Sequence, residues 1–126
     1  MSRPIWILAA VTLLGCATPR PTAVGPELPC EVTKEALARV EYLTGMDPCD
    51  PRAITIRGAP CDRVGIAAEH EWLDHNYPGY EVIHQSLEAT VIGSPCPPTS
   101  YDYFSIKLPS GETRGVTFDI TEFYGK

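Results

Sequence analysis

Tyr101-Asp102-Tyr103-Phe104-Ser105-Ile106-Lys107-Leu108, followed after the turn Pro109-Ser110-Gly111-Glu112 by Arg114-Gly115-Val116-Thr117-Phe118-Asp119-Ile120-Thr121, decides the fold class. Phe104, Ile106 and Leu108 repeat with a period of two, and Val116, Phe118 and Ile120 answer them from the second run. That is the pattern of a hairpin with one apolar face, closed by a turn in which Gly111 suits positive φ. Pairing Phe104 with Phe118 and Ile106 with Val116 places the large apolar side chains on one side, and sets Tyr103 opposite Asp119 on the other.

Upstream, Tyr80 to Ile92 reads as a third strand whose imperfect alternation calls for a bulge near His84 to Leu87. Gly93 to Ser100, with three prolines around Cys96, is a loop. Asp62 to about Asn76 reads as a helix. At about 100° per residue, Val64, Ile66, Ala68, Trp72 and Leu73 fall in one broad arc, while His70, Glu71 and Asp74 fall opposite. Pro78-Gly79 stops it. A first helix is predicted from a Thr33 cap, carrying Ala36, Leu37, Val40, Leu43 and Thr44 to Gly45. Ala53 to Arg57 is a short β-branched run, predicted as an edge strand. The expected fold class is therefore α+β, a two-layer sandwich with helices on one face of a three- to four-stranded antiparallel sheet.

The amino-terminal end carries a different signal. An apolar run from Ile5 to Leu14 follows a short segment whose only charged side chain is Arg3, and Leu13-Leu14-Gly15-Cys16 closes it. Ten residues are too few to span about 30 Å of hydrocarbon as a helix, which needs roughly 20. The motif resembles the lipobox of bacterial lipoprotein signals, with Leu14 bulkier than usual before Gly15. The resemblance implies removal of residues 1–15, diacylglycerol on the Cys16 thiol and acylation of the new amino group. Ala17, in place of an Asp, implies an outer-membrane location facing the periplasm. Residues 16–29, with Pro19, Pro21 and Pro26, form the expected tether, and residues 30–126 the folded domain.

Removing residues 1–15 leaves 111 of the 126 residues and takes the count of Lys and Arg from 10 to 9 against 16 Asp and Glu. So acidic a surface repels phosphate backbones, which excludes nucleic acid as the natural partner. Cys30, Cys49, Cys61 and Cys96 remain once Cys16 is set aside. An even count in an exported domain predicts two disulfides, and the absence of a C-x₂-C pair argues against zinc. Three pairings are open; the predicted elements favour Cys30 with Cys49 across the first helix and Cys61 with Cys96 between helix and sheet.

Catalytic chemistry finds little purchase. His70-Glu71-Trp72-Leu73-Asp74-His75 is one residue away from a zincin motif, but His70 and His75 are five apart and about 140° out of register on a helix. A weak metal site from His70 and Asp74, with His75 near, is the alternative. His84 reads as structural or exposed. No Gly-x-Ser-x-Gly elbow, phosphate-cradling glycine loop or assignable carboxylate pair is present, so the expectation is a protein that is not an enzyme and needs no cofactor. Tyr101, Tyr103 and Asp119 on the wet face of the hairpin, bordered by Trp72 and Tyr77 if the helix ends early, form the candidate binding surface, since Tyr and Trp dominate binding hot spots.

From about Ile66 to Lys126 the chain resembles a PepSY-type module. The residues that carry this are Tyr77-Pro78-Gly79-Tyr80-Glu81-Val82, Tyr103 to Ile106, Ser110-Gly111, Phe118-Asp119 and Gly125. Phe123-Tyr124 lengthens the last segment beyond that pattern. The architecture is similar to β-lactamase-inhibitor-like folds and to the small lipoprotein of the outer-membrane barrel-assembly machinery. What the resemblance implies is binding: inhibition or regulation of a protease, or scaffolding of an assembly. The expected function is that of an envelope lipoprotein, held to the membrane through Cys16, whose domain engages another envelope protein.

Overall fold

In a computed structural model of the chain, residues 30–90 and 93–126 are described. The expected signal peptide, the expected lipidation site at Cys16 and the expected tether lie outside them. The elements run α1 (Lys34–Ala38), β1 (Glu41–Thr44), β2 (Ile54–Arg57), α2 (Asp62–Asn76), β3 (Glu81–Ala89), β4 (Ser100–Lys107) and β5 (Thr113–Asp119). The strands form one sheet in the order β1-β2-β5-β4-β3, with β2 parallel to β5 and the other neighbours antiparallel. The fold is α+β as expected, but the sheet is five-stranded and mixed rather than three- to four-stranded and antiparallel.

The extra strand comes from the segment expected to complete the first helix. Thr33 does cap α1, accepting from the Ala36 N–H at 3.0 Å, yet the helix lasts five residues. Tyr42, Leu43 and Thr44 are aromatic, apolar and β-branched residues that gain more from pairing with Ile56, Thr55 and Ile54 than from one further helical turn. The Tyr42 hydroxyl then reaches over to α2, donating to the Ala68 carbonyl at 2.8 Å. Ala53 to Arg57, expected at an edge, is in fact flanked on both sides.

In the hairpin the expected register slips by two. Phe104 pairs with Val116, Ile106 with Arg114, Tyr103 with Thr117 and Tyr101 with Asp119. The cause is the turn: Leu108 N–H donates to Glu112 C=O and Gly111 N–H to Leu108 C=O, both at 2.8 Å, so the loop closes over three residues with Gly111 at φ 89°. A slip of two keeps every side chain on its face. Phe104 and Phe118 still meet, on the diagonal, edge to face with centroids 5.7 Å apart.

α2 lays Val64, Gly65, Ala68, Glu69 and Leu73 inward, with half-buried Trp72 packed against the same core. Ile66, expected in this stripe, is 48% exposed, and Glu69 takes an inward position instead. The close approach of α2 depends on Gly65, where an added Cβ would overlap the buried Phe123 ring. Cys61, at the N-cap, offers no side-chain cap; the Asp62 N–H instead donates to the Lys126 carbonyl at 3.2 Å, while Asp62 Oδ1 accepts from the Gly125 N–H at 3.0 Å. The segment after β5 thus serves as a cap that α2 lacks in its own sequence.

Both disulfides form, in a pairing different from the favoured one: Cys30 with Cys61 and Cys49 with Cys96, at Cα separations of 5.7 and 6.0 Å. With α1 so short, Cys30 lies against the start of α2, and the turn holding Cys49 is drawn toward the Cys96 loop by Asp47. That carboxylate accepts from the Cys49 N–H through Oδ1 and from the Tyr101 hydroxyl through Oδ2. Loops of 31 and 47 residues correspond to about 3–4 kcal/mol each in the chain-entropy account.

Two measurements check this packing. Gly65→Ala, which in an exposed helix would gain up to about 1 kcal/mol, is expected to cost about 1–3 kcal/mol in denaturant unfolding because the ring has nowhere to go. Peptide mapping without reduction is expected to recover Cys30 joined to Cys61 and Cys49 joined to Cys96; a Cys30–Cys49 peptide would contradict the fold around α1.

Candidate functional site

The sheet is open where β2 meets β5. β2 pairs with β5 only at Ile54–Phe118 and Thr55–Asp119, whereas β4 pairs with it along its whole length. At the two ends of the β4–β5 ladder, Leu108 bonds Glu112 and Ile120 bonds Ser100, so the even-numbered residues of β5 turn their backbone groups to β4. Thr113 and Gly115 therefore direct N–H and C=O away from it, with no strand partner among the described residues.

A cleft of about 570 Å³ lies along this free edge, lined by Asp50, Arg52 and Ile54 on the β2 side, by Tyr103, Gly115, Val116 and Thr117 on the β4–β5 side, and by Trp72 and Tyr77 from α2 and its end. The aromatic lining is fixed from beneath. Trp72 stands edge-on to buried Phe118 at 5.5 Å and to Tyr77 at 6.0 Å, and the Arg114 guanidinium lies 6.0 Å from the Tyr77 ring centre. Tyr103 leans over Gly115, where a Cβ would come within 2.7 Å of its hydroxyl. The missing side chain leaves room for the tyrosine and keeps the edge backbone accessible.

Of the five residues expected to form a binding surface, Trp72, Tyr77 and Tyr103 are brought together here. Tyr101 is not available: it is 8% exposed, bonded to Asp47, and burial with that carboxylate beside it pushes its hydroxyl up to about 12. Asp119 is half-buried and turned to Thr121, accepting from its N–H at 3.1 Å and its hydroxyl at 2.6 Å. Gly115 and Arg52 were not expected; a glycine inside a strand pattern is the signal that marks Gly115.

The His70 region is built otherwise than expected. His70 does not stand in solvent: its Nδ1 is 2.8 Å from the Tyr80 hydroxyl and its ring meets Phe104 edge-on at 5.7 Å. Asp74 and His75 are exposed. Among the described residues no three His, Cys, Asp or Glu side chains stand where they could share a metal ion.

A carboxyl pair does exist, inside the domain. Glu69 on α2 is 1% exposed and neighbours the buried Asp102 on β4. Neither Glu69 oxygen receives a hydrogen bond, while Asp102 Oδ2 accepts from Gln85 Nε2 at 2.8 Å. Burial first, and then the neighbouring Asp102 side chain, push the Glu69 carboxyl up to about 9, so at neutral pH it keeps its proton. Lying in the core and not in the cleft, the pair is structural, a buried polar contact between α2 and β4. A glutamate inside the arc of Val64, Ala68 and Leu73 is the signal that marks it.

Because the folded-state value lies above the unfolded one of about 4.3, folding takes up a proton at neutral pH. Stability is fully present at acid pH, from this group, and is lost as pH climbs toward 9. Glu69→Gln removes the ionisation. Melting temperatures measured from pH 5 to pH 9 are expected to fall less in the variant, with a gain of roughly 5 °C or more at the alkaline end, at about 4–8 °C per kcal/mol. A parallel decline in both proteins would disprove the assignment.

No protein-family model matches the chain, and no curated protein or solved structure does so either.

Proposed function

We propose that this chain is a non-enzymatic bacterial envelope lipoprotein, anchored through Cys16 in the outer membrane and facing the periplasm, whose domain binds another envelope protein to regulate or scaffold it. The partner offers an extended segment that lies in the cleft along β5, its backbone adding to Thr113 and Gly115 and one apolar or aromatic side chain resting on Trp72 and Tyr77. The observation that carries this reading is a stretch of β5 with no strand partner among the described residues, beside rigid aromatic side chains, a combination suited to strand addition, in which main-chain bonds supply affinity and neighbouring pockets supply choice. The Leu13-Leu14-Gly15-Cys16 motif and the two disulfides support the compartment. The PepSY resemblance points the same way, to binding without chemistry.

Position-specific photocrosslinking in intact envelopes tests it. A crosslinker in place of Tyr103 or Thr117 is expected to capture one envelope protein that a crosslinker in place of Lys34, on α1, does not. In the purified pair Tyr103→Ala is expected to weaken binding about tenfold or more, the scale of a hot-spot truncation. Identical captures at all three positions, or unchanged affinity, would remove the cleft from the proposal.

A further inference from the structure

Among the described residues β3 has a strand neighbour on one side only. Its surface is unusual for an edge. Ile83 and Leu87 are 54% and 55% exposed, and Val82 adds a third large apolar side chain. Soluble proteins commonly blunt such edges with Lys, Pro or brevity, yet this strand has nine residues and neither Lys nor Pro. The ladder to β4 determines which backbone groups are free. Thr90 N–H donates to Thr99 C=O at 3.0 Å, and the register from His84–Ser105 to Ala89–Ser100 continues that pair, so Gln85 and Leu87 direct N–H and C=O outward.

We propose that β3 pairs antiparallel with β3 of a second copy of this chain, about a twofold axis at Ser86. Gln85 of each copy then faces Leu87 of the other in hydrogen-bonded pairs, and Ser86 meets Ser86 in a close non-hydrogen-bonded pair. Two features restrict the register and a third selects it. It uses the regular stretch beyond the irregularity between Val82 and His84. It obeys the symmetry of a twofold contact, in which the same patch serves both sides. It also sets His84 of each copy opposite Glu88 of the other, on the face away from the core. Registers centred on Gln85 or Leu87 also satisfy the backbone, but they put Glu88 against Val82 or Ser86. The self-complementarity of His84 and Glu88 favours a second copy over a foreign segment, and the pairing joins two five-stranded sheets into one continuous sheet.

Sedimentation of the full chain in density-matched detergent, with oxidative crosslinking, tests the proposal. The expected result is a dimer in which Ser86→Cys forms a disulfide between copies that maps to position 86 on both chains. Leu87→Lys and His84→Glu are each expected to raise the dimer dissociation constant at least tenfold. The double change His84→Glu with Glu88→Lys is expected to restore it, which separates loss of pairing from loss of folding. A monomer at every concentration, a dimer indifferent to Leu87→Lys, or no restoration by the double change would overturn it.

Discussion

The contact between the Phe123 ring and the bare backbone of Gly65 governs how closely α2 can lie to the rest of the core. From that approach follow the other contacts of the helix. Ala68 comes within reach of the Tyr42 hydroxyl, Trp72 meets Phe118, and Glu69 is driven in beside Asp102. The residues that make this possible are far apart in sequence, and the segment carrying Phe123 also supplies the acceptor for the uncapped first turn of α2. Dispersion between close-packed groups, small for each atom pair and large in sum, favours such an arrangement only when no side chain intervenes.

The aromatic side chains form a relay through the core rather than a cluster in one place. Tyr77 touches Trp72, Trp72 touches Phe118, Phe118 touches Phe104, and Phe104 touches His70, which in turn stacks near Tyr80. Four of the five contacts are edge-to-face, the arrangement that the ring quadrupoles favour. The cleft beside β5 is consequently a continuation of the core to the surface. Trp72 and Tyr77 are held there by the interior and lose little freedom when something covers them, which is how rigid anchors help binding.

Much of this was legible in local pattern. The period-two runs around Phe104 and Phe118, the helix from Asp62 to Asn76 and the Thr33 cap are set by neighbours in sequence, and they stand as expected. What escaped was decided at long range. Leu37, Val40 and Leu43 have helical spacing, but Tyr42 to Thr44 is drawn into the sheet by β2. The hairpin register depended on a three-residue loop, which composition alone does not distinguish from a longer one. The cysteine pairing followed from the shortness of α1. For the candidate site, residue types pointed to Trp72, Tyr77 and Tyr103, but the same reasoning included Tyr101, whose burial under the Asp47 turn depends on a contact 54 residues distant. The opening between β2 and β5 is a property of topology, and no run of residues announces it.

The bond between Cys30 and Cys61 has a mechanical consequence. Tension applied from the amino-terminal side of Cys30 does not pass through the 30 positions between the two cysteines, because the sulfurs carry it directly to the first turn of α2. That turn is already clamped to Gly125 and Lys126. Such a pull would thus enter the domain at a point fastened on two sides. α1, β1 and β2, held by the sheet and by the Cys49–Cys96 bond, would stay out of the load path, and the cleft beside β5 would keep its shape under that load.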